Sequence, residues 1–187
     1  MSQEASYAWK KASWQRQHNV LYPLQAGQGC KVTVVDLGCK QSILRRWVDA
    51  GHQVTVLSPQ STLAQIAETC PDLVVLSNGP GDPRVCTQAI TLAAQLVQQD
   101  WPILGICLGV QILALCTGGA IQKMSYGHHG SNHPVLGPDQ RIMISAQNHN
   151  YVIDEARLSS DWVITHRSLF DQTIQGIQHT SKPIRGF

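Results

Sequence analysis

Long apolar runs, dense basic stretches and closely paired cysteines are all missing from this sequence. Because no run approaches the roughly 20 apolar residues that a membrane-spanning helix needs, we predict no membrane association. The formal net charge of +2 over 187 residues is too small to predict binding to nucleic acid or to an anionic membrane. Internal repeats and low-complexity segments are also lacking, and the length suits one domain with a substantial core.

The six cysteines are scattered and form no C-x-x-C pair, so we expect no zinc site and no other resident metal. The chain also begins without an apolar signal segment, which disfavours export and a disulfide framework. We therefore predict a reduced, cytoplasmic protein.

Strands and helices alternate regularly from Cys30 onwards. Strand patterns cover 31–36, 53–57, 72–77 and 101–106, and helical patterns cover 40–50, 61–69, 85–99 and 108–116. Ser61 is predicted to cap the second of these helices. This alternation predicts an α/β fold with a doubly wound, mostly parallel sheet and flanking helices, whose ligands bind at the carboxyl ends of the strands. Residues 1–29 lack a clean period, so we assign them to an N-terminal arm or linker and 30–187 to the domain.

The pattern changes after Gly119, where additional strands are predicted. Short strands at 120–124 and 141–145 flank a polar loop at 126–140, and further strands cover 162–167, 173–178 and 183–187. The loop contains Gly-His-His-Gly-Ser-Asn-His-Pro, in which three histidines suggest a metal. We set that reading aside because no carboxylate or cysteine lies at ligand spacing, and we expect a shaped loop held by histidine hydrogen bonds.

One cysteine lies in a sequence pattern typical of a nucleophile. Gly105-Ile-Cys107-Leu-Gly109 joins a predicted strand to a predicted helix, with a glycine two residues away on each side of the cysteine. This is the strand–turn–helix elbow, in which the glycines relieve crowding and the turning side chain is exposed at the sheet edge. A helix N-terminus there favours thiolate. We predict Cys107 as a nucleophile, while a buried core cysteine remains the alternative.

Two polar segments are candidates for a binding site beside Cys107. Ser-Asn-Gly79-Pro-Gly81-Asp-Pro follows the third predicted strand and can bring backbone N–H groups close to a ligand. With the N–H of Leu108, it would form an oxyanion hole, although an ordinary turn has the same composition. Gln147-Asn148-His149 follows a strand and can present amide groups to a polar substrate, or form a satisfied turn.

Four blocks, LSNGPGDP, GICLGVQILAL, KMSYGHHGSNHPV and SAQNHNYVIDE, together resemble class I (triad) glutamine amidotransferases. More narrowly, GHHGSNHPV and AQNH are similar to the glutaminase subunits of carbamoyl-phosphate synthetases. The resemblance covers nearly the whole chain, and GHHGSNHPV argues against amidotransferases of the anthranilate or GMP type.

The resemblance implies a specific chemistry and a set of site residues. Cys107 would attack the side-chain amide of L-glutamine, form a thioester and release ammonia. Substrate and oxyanion contacts would come from positions that match the family's: Gly79, Gly81, Leu108, Gln111, Asn148, Asn150 and Tyr151. The ammonia would pass to a large synthetase subunit, which uses ATP and bicarbonate to make carbamoyl phosphate for pyrimidine and arginine synthesis. No cofactor is expected in this chain itself.

The sequence departs from the family pattern in three ways. Val110 stands where the family usually has histidine, and Asn150 stands where it usually has glycine. The family's catalytic histidine and glutamate lie in a Q-x-H-P-E motif that would follow Phe187, and its N-terminal domain also lies outside this sequence. We therefore expect a truncated, weak or inactive glutaminase. The alternative is a non-catalytic pseudo-glutaminase that binds glutamine or a partner.

Four histidines are possible substitutes for the missing catalytic base, although nothing in the sequence places any of them against Cys107. They are His128, His129, His133 and His149. A base is needed because the thiol must be activated and the leaving ammonia must be protonated.

Overall fold

A computed structural model describes residues 6–13 and 29–187 of the chain. The strands are β1 (Tyr7–Trp9), β2 (Lys31–Val35), β3 (Gln53–Leu57), β4 (Leu73–Leu76), β5 (Ile103–Gly105), β6 (Ile121–Leu136), β7 (Ile142–Ile153), β8 (Trp162–Ser168), β9 (Ile174–His179) and β10 (Ile184–Gly186). The helices are α1 (Gln41–Asp49), α2 (Leu63–Glu68), α3 (Thr87–Val97) and α4 (Leu108–Cys116). Short 3₁₀ turns occupy Pro83–Val85 and Glu155–Arg157.

All of the described strands form one ten-stranded sheet with the order β1-β3-β2-β4-β5-β10-β9-β8-β6-β7. The strands from β3 to β10 in this order are parallel to one another, and the remaining pairings are antiparallel. The predicted α/β class with a parallel sheet and additional C-terminal strands is therefore confirmed. Five of the nine strand pairings among the described residues are antiparallel, which is more than a mostly parallel sheet would have.

Helices cover both faces of the parallel strands, as a doubly wound sheet requires. Helix α1 buries Leu44 and Val48 against valines of β2 and β3 on one face. On the other face, α2, α3 and α4 bury Ile66, Leu96 and Ile112 against β4 and β5. No helix in the described residues is long and apolar enough to span a membrane.

The polar loop that we predicted at 126–140 is wrong, because these residues belong to a long β-hairpin. β6 runs through the histidine-rich segment and pairs with β7, which also contains Gln147, Asn148 and His149. Register shifts interrupt the ladder between Lys123 and His128 and again between Gly130 and His133. The segment looks like a loop in sequence because much of the hairpin is exposed and its strands therefore carry polar side chains.

Two predicted boundaries near the helices also need correction. Thr62, not Ser61, caps α2: its side chain accepts the N–H of Gln65, whose own side chain accepts the N–H of Thr62. This reciprocal capping box needs a Gln three residues after the cap, and Thr62 has one. Helix α3 begins at Thr87 because a 3₁₀ turn starting at Pro83 precedes it.

Part of the predicted N-terminal arm joins the sheet. β1 pairs antiparallel with β3, and Ala12 is buried in the core cluster that contains Leu44. The rest of the predicted arm, at 1–5 and 14–28, lies outside the described residues. The division of the chain at residue 29 stays a prediction.

Candidate active site

Cys107 lies at a sharp turn between β5 and α4, with φ of 49° and ψ of −101°. This positive φ is unusual for a residue that carries a Cβ atom and marks a strained backbone position. The flanking glycines permit the turn. A Cβ atom on Gly105 would lie 2.7 Å from the nitrogen of Val110, and one on Gly109 would lie 2.1 Å from the carbonyl oxygen of Leu76. The local structure therefore has the elbow geometry predicted from the glycine spacing.

The thiol of Cys107 is half-buried, and burial raises its pKa above the ordinary value. A hydrogen bond from the backbone N–H of Leu108 opposes this effect but is the smaller of the two. The sequence predicts that the helix N-terminus favours the thiolate, and the N–H of Leu108 does so, but burial has the larger effect on the pKa. Since the thiolate is the nucleophilic form, reaction at neutral pH requires a base or a ligand that changes the surroundings of the thiol.

A cavity of about 530 Å³ opens beside this thiol. We call it the Cys107 cavity. Its lining includes Cys107 and every residue that we predicted to contact substrate or oxyanion, namely Gly79, Gly81, Leu108, Gln111, Asn148, Asn150 and Tyr151. These residues come from the segment after β4, the start of α4 and the strand β7. The fold therefore brings together positions that are up to 72 residues apart, from Gly79 to Tyr151.

Gln111 joins the helix wall of the cavity to the hairpin wall. It is buried, and its Nε2 donates to the carbonyl oxygen of Tyr151 at 2.7 Å. That bond uses the amide NH₂ and leaves the amide oxygen available to a ligand.

Gly79 holds the opposite wall close to α4. A Cβ atom on Gly79 would lie 2.1 Å from the carbonyl oxygen of Leu37 and 2.7 Å from the Cδ2 atom of Leu108. A larger residue would therefore push the segment away from the elbow. The proposed oxyanion donors from Leu108 and from this segment stay a prediction.

Two charged residues that sequence reasoning missed, Asp82 and Lys123, also line the Cys107 cavity, and so does His149 of the predicted 147–149 segment. Arg84 donates to both carboxylate oxygens of Asp82, at 2.9 Å from Nε and 2.6 Å from Nη2. These bonds hold the pKa of Asp82 far below its usual range, at about 2. Asp82 was detectable because it belongs to the same Gly-Pro-Gly-Asp segment as Gly79 and Gly81. Lys123 was not detectable, because only the hairpin pairing brings it to the site.

The four histidines that we considered as substitute bases lie in or beside one network on the hairpin. His128 contacts Gln147 and Asp171 at 2.7 and 2.8 Å, and His129 contacts Asn148 and Asn150 at 2.7 and 3.1 Å. His133 is buried against the His128 ring, and its Nδ1 has no hydrogen-bond partner in the described part of the chain.

His149 is the one member of this network that shares the Cys107 cavity, judged from the residues that the structure describes. Its Nδ1 lies 3.0 Å from the carbonyl oxygen of Tyr151, and its Nε2 lies 3.2 Å from Oε1 of Gln147. Burial and the nearby His128 lower the pKa of His149. Both neighbouring atoms are acceptors, so the neutral imidazole donates to only one of them, and neither of these contacts involves the thiol.

A second cavity, of about 400 Å³, also borders Cys107 and shares Gln111, Asn148, His149 and Tyr151 with the first. Most of its lining is apolar and comes from the hairpin and the sheet, including Val135, Ile144, Ile153 and Phe187. The backbone N–H of Cys107 donates to the carbonyl oxygen of Phe187 at 2.9 Å, so the end of β10 lies directly at the elbow. Within residues 6–13 and 29–187, no cluster of three or more potential ligands could hold a metal ion.

Comparison with known proteins gives a consistent picture. The model of the family "Glutamine amidotransferase class-I" matches residues 33–187. A carbamoyl phosphate synthase small chain from Thioalkalivibrio sulfidiphilus (strain HL-EbGR7) is 46% identical over 182 residues, covering 97% of this chain and 48% of the relative. The small chain from Escherichia coli (strain K12) is 41% identical over 184 residues with the same coverage. This chain thus spans about half the length of these relatives.

Solved structures show the same fold at lower identity. A glutamine amidotransferase from Thermotoga maritima superposes with a TM-score of 0.66 at 20% identity, covering 86% of this chain and 75% of that one. Another, from Methylobacillus flagellatus, gives a TM-score of 0.66 at 15% identity, covering 85% of this chain and 68% of that one.

Proposed function

We propose, since this chain belongs to the class I glutamine amidotransferase family, that it is the glutaminase part of a carbamoyl-phosphate synthetase. Cys107 would attack the side-chain carbonyl carbon of glutamine. A sulfur–carbon bond forms, the carbon–nitrogen bond breaks, and the nitrogen leaves as ammonia after it takes up a proton. Water would then hydrolyse the thioester to glutamate and restore the thiol.

The observation that carries this proposal is the Cys107 cavity. A nucleophile on a strained elbow and seven residues of the expected substrate set line the same space of about 530 Å³. Cavities that bind small ligands typically combine such a shape with a few polar groups that fix orientation. The residue roles carried over from the family are proposals that this convergence supports.

The charges at the cavity suit a free amino acid. Lys123 forms no ion pair in the described part of the chain, so it is available to the α-carboxylate of a ligand. Asp82 is ionised at neutral pH, and the lone pairs that Arg84 leaves free can accept from an α-ammonium group. Glutamine carries both of these groups.

The base for the reaction is proposed to come from beyond residue 187. The bond between Cys107 and Phe187 brings the end of β10 to the backbone of the nucleophile. Each further residue adds at most about 3.6 Å of chain, so a histidine two or three positions later would be within reach of the thiol. This matches the place where the family resemblance puts the catalytic histidine.

The proposed partner is a large synthetase subunit that receives the ammonia. The names of the relatives support this, because they are the small chains of carbamoyl phosphate synthases. ATP and bicarbonate would be used on that large chain, and this chain would need no cofactor of its own. A cytoplasmic location and a role in pyrimidine and arginine synthesis belong to the same proposal.

The test is covalent labelling by an electrophilic analogue of glutamine, with ammonia release measured in parallel. We expect the analogue to modify Cys107 before the other five cysteines, and glutamine to protect it. The Cys107→Ser variant should take up no label at position 107 and should release no ammonia. Equal modification of the exposed Cys30 and of Cys107, with no protection, would contradict the proposal.

A second candidate function is a pseudo-glutaminase that binds glutamine without hydrolysing it. The observation that favours it is the set of contacts of His149, whose ring nitrogens lie near oxygens of Tyr151 and Gln147 and, within the described residues, not near the thiol. Two proteins are compared: this chain, and a version extended past residue 187 and mixed with the large subunit. If glutamine protects Cys107 in both and neither releases ammonia, the binding function is favoured. Release only from the extended version would favour the glutaminase.

A further inference from the structure

One histidine of the hairpin bridges two residues that line the Cys107 cavity. His129 on β6 pairs directly with Asn148 on β7 in the strand register. Its Nδ1 lies 2.7 Å from Oδ1 of Asn148, and its Nε2 lies 3.1 Å from Oδ1 of Asn150. A single imidazole thus contacts the carboxamides of two residues that both face the same cavity.

This bridge constrains how the two carboxamides are turned. An asparagine side chain has an acceptor end and a donor end, and both orientations fit almost equally unless a neighbour distinguishes them. With the amide oxygens held at the His129 ring, the NH₂ groups are the ends left free to bind a ligand. Both ring nitrogens donate at once only in the imidazolium form. Two NH₂ groups suit an anionic oxygen acceptor, such as a carboxylate, and do not suit an ammonium group.

The second half of the bridge depends on a residue that departs from the family pattern. The resemblance leads us to expect glycine at position 150, and glycine has no side chain that could reach His129. A Cβ atom on Gly127 would lie 2.3 Å from Oδ1 of Asn150, so the asparagine side chain fits closely over a glycine of the facing strand. The contact between His129 and Asn150 is therefore a feature of this sequence and not of the expected motif.

We propose that His129 is a positioning residue that turns Asn148 and Asn150 into donors for the α-carboxylate of the bound amino acid. This inference rests on the proposed function, because it assumes that glutamine occupies the Cys107 cavity. His129 is exposed, so its loss removes little packing. Its effect falls on ligand affinity and on the preference for a carboxylate, not on the chemical step.

The experiment measures ligand binding by calorimetry in a Cys107→Ser background, which prevents turnover. The two ligands are L-glutamine and L-glutaminamide, in which a neutral amide replaces the α-carboxylate. His129→Ala should weaken glutamine binding about tenfold, the effect of one charge-assisted hydrogen bond. It should change glutaminamide binding much less, because a neutral amide does not need two donors.

Further variants distinguish positioning from a general structural effect. His129→Asn replaces Nδ1 with an amide donor, so it should recover part of the glutamine affinity. Asn150→Gly removes only the second contact and should weaken glutamine binding less than His129→Ala does. Tyr126→Ala is the matched control, since it removes another aromatic side chain of β6 that is 88% exposed, and it should leave both affinities unchanged.

The possible failures are separable. Suppose that the Cys107→Ser protein binds glutamine. If the His129→Ala and Asn150→Gly variants then bind glutamine as tightly and prefer it over glutaminamide as strongly, the positioning role is wrong and the proposed function stands. If the starting protein binds neither ligand and the analogue does not label Cys107 in the unsubstituted chain, both are wrong. A thermal melt of each variant establishes that the compared proteins are folded.

Discussion

Gly109 packs against the backbone of Leu76 so closely that a Cβ atom at position 109 would lie 2.1 Å from the Leu76 carbonyl oxygen. Helix α4 therefore begins in direct contact with the end of β4. This contact places the N-terminus of the helix, and with it Cys107, above the carboxyl edge of the sheet. The glycine of the sequence motif is thus explained by packing against a neighbouring strand as well as by the turn itself.

Replacement of Gly109 by alanine should destabilise the fold. The added methyl group meets backbone atoms, which cannot move aside as a flexible side chain can, and overpacking of this kind costs about 1–3 kcal/mol. Chemical unfolding monitored by circular dichroism measures the free energy. Gly137→Ala is the control, because its Cβ would lie 3.3 Å from the nearest heavy atom, an oxygen of the Asp139 side chain. Equal stabilities of the two variants would contradict the packing argument.

Loss of the α2 cap should have a smaller effect that depends on one position. Thr62→Ala removes the hydroxyl that accepts the N–H of Gln65, and loss of an N-cap typically costs about 1 kcal/mol. Ser61→Ala is the matched control and should fall within about 0.5 kcal/mol of the unsubstituted chain. The same unfolding experiment compares the two variants. A larger loss of stability in Ser61→Ala would support Ser61 as the cap, as the sequence alone predicted.

Small, neutral alkylating reagents should modify Cys107 slowly at neutral pH. Burial raises the pKa of this thiol, so the reactive thiolate is a minor species at pH 7 and its fraction grows about tenfold for each pH unit until the pKa is reached. The rate of iodoacetamide labelling, followed by peptide mass spectrometry, should still be rising with pH above the ordinary thiol pKa of about 8.5, since burial shifts the pKa of Cys107 upward. Cys30, which is exposed, provides the internal comparison. A rate at Cys107 that levels off at or below the ordinary thiol pKa of about 8.5 would contradict the role of burial.

Removal of the charge at Lys123 should weaken glutamine binding without affecting the fold. The side chain lines the Cys107 cavity and has no ion-pair partner in the described residues. Lys123→Gln should raise the dissociation constant for glutamine about tenfold, as expected for one hydrogen bond to a charged group. Lys10→Gln, at the opposite edge of the sheet, is the control. An unchanged dissociation constant in Lys123→Gln would place the α-carboxylate elsewhere.

The sequence by itself determined the parallel α/β part of the fold and the elbow. Buried strands such as β2 and β4 consist of consecutive apolar residues, and their alternation with amphipathic helices has few structural solutions. The spacing of Gly105, Cys107 and Gly109 likewise reflects a local steric requirement, which is readable without knowledge of distant residues. The family resemblance then supplied the substrate positions that the structure later gathers in one cavity.

Tertiary structure alone decided the hairpin and what it brings to the site. The polar strands β6 and β7 have no apolar periodicity, because much of the hairpin is exposed, so their extended form depends on pairing with each other. Only through that pairing do Lys123 and His149 reach the cavity and His129 reach the asparagines that line it. The pKa of Cys107 could not be predicted from the sequence either, since the elbow motif indicates a helix N-terminus but not the burial that raises the pKa. Burial and cross-strand contacts depend on residues far apart in the chain, which no local pattern records.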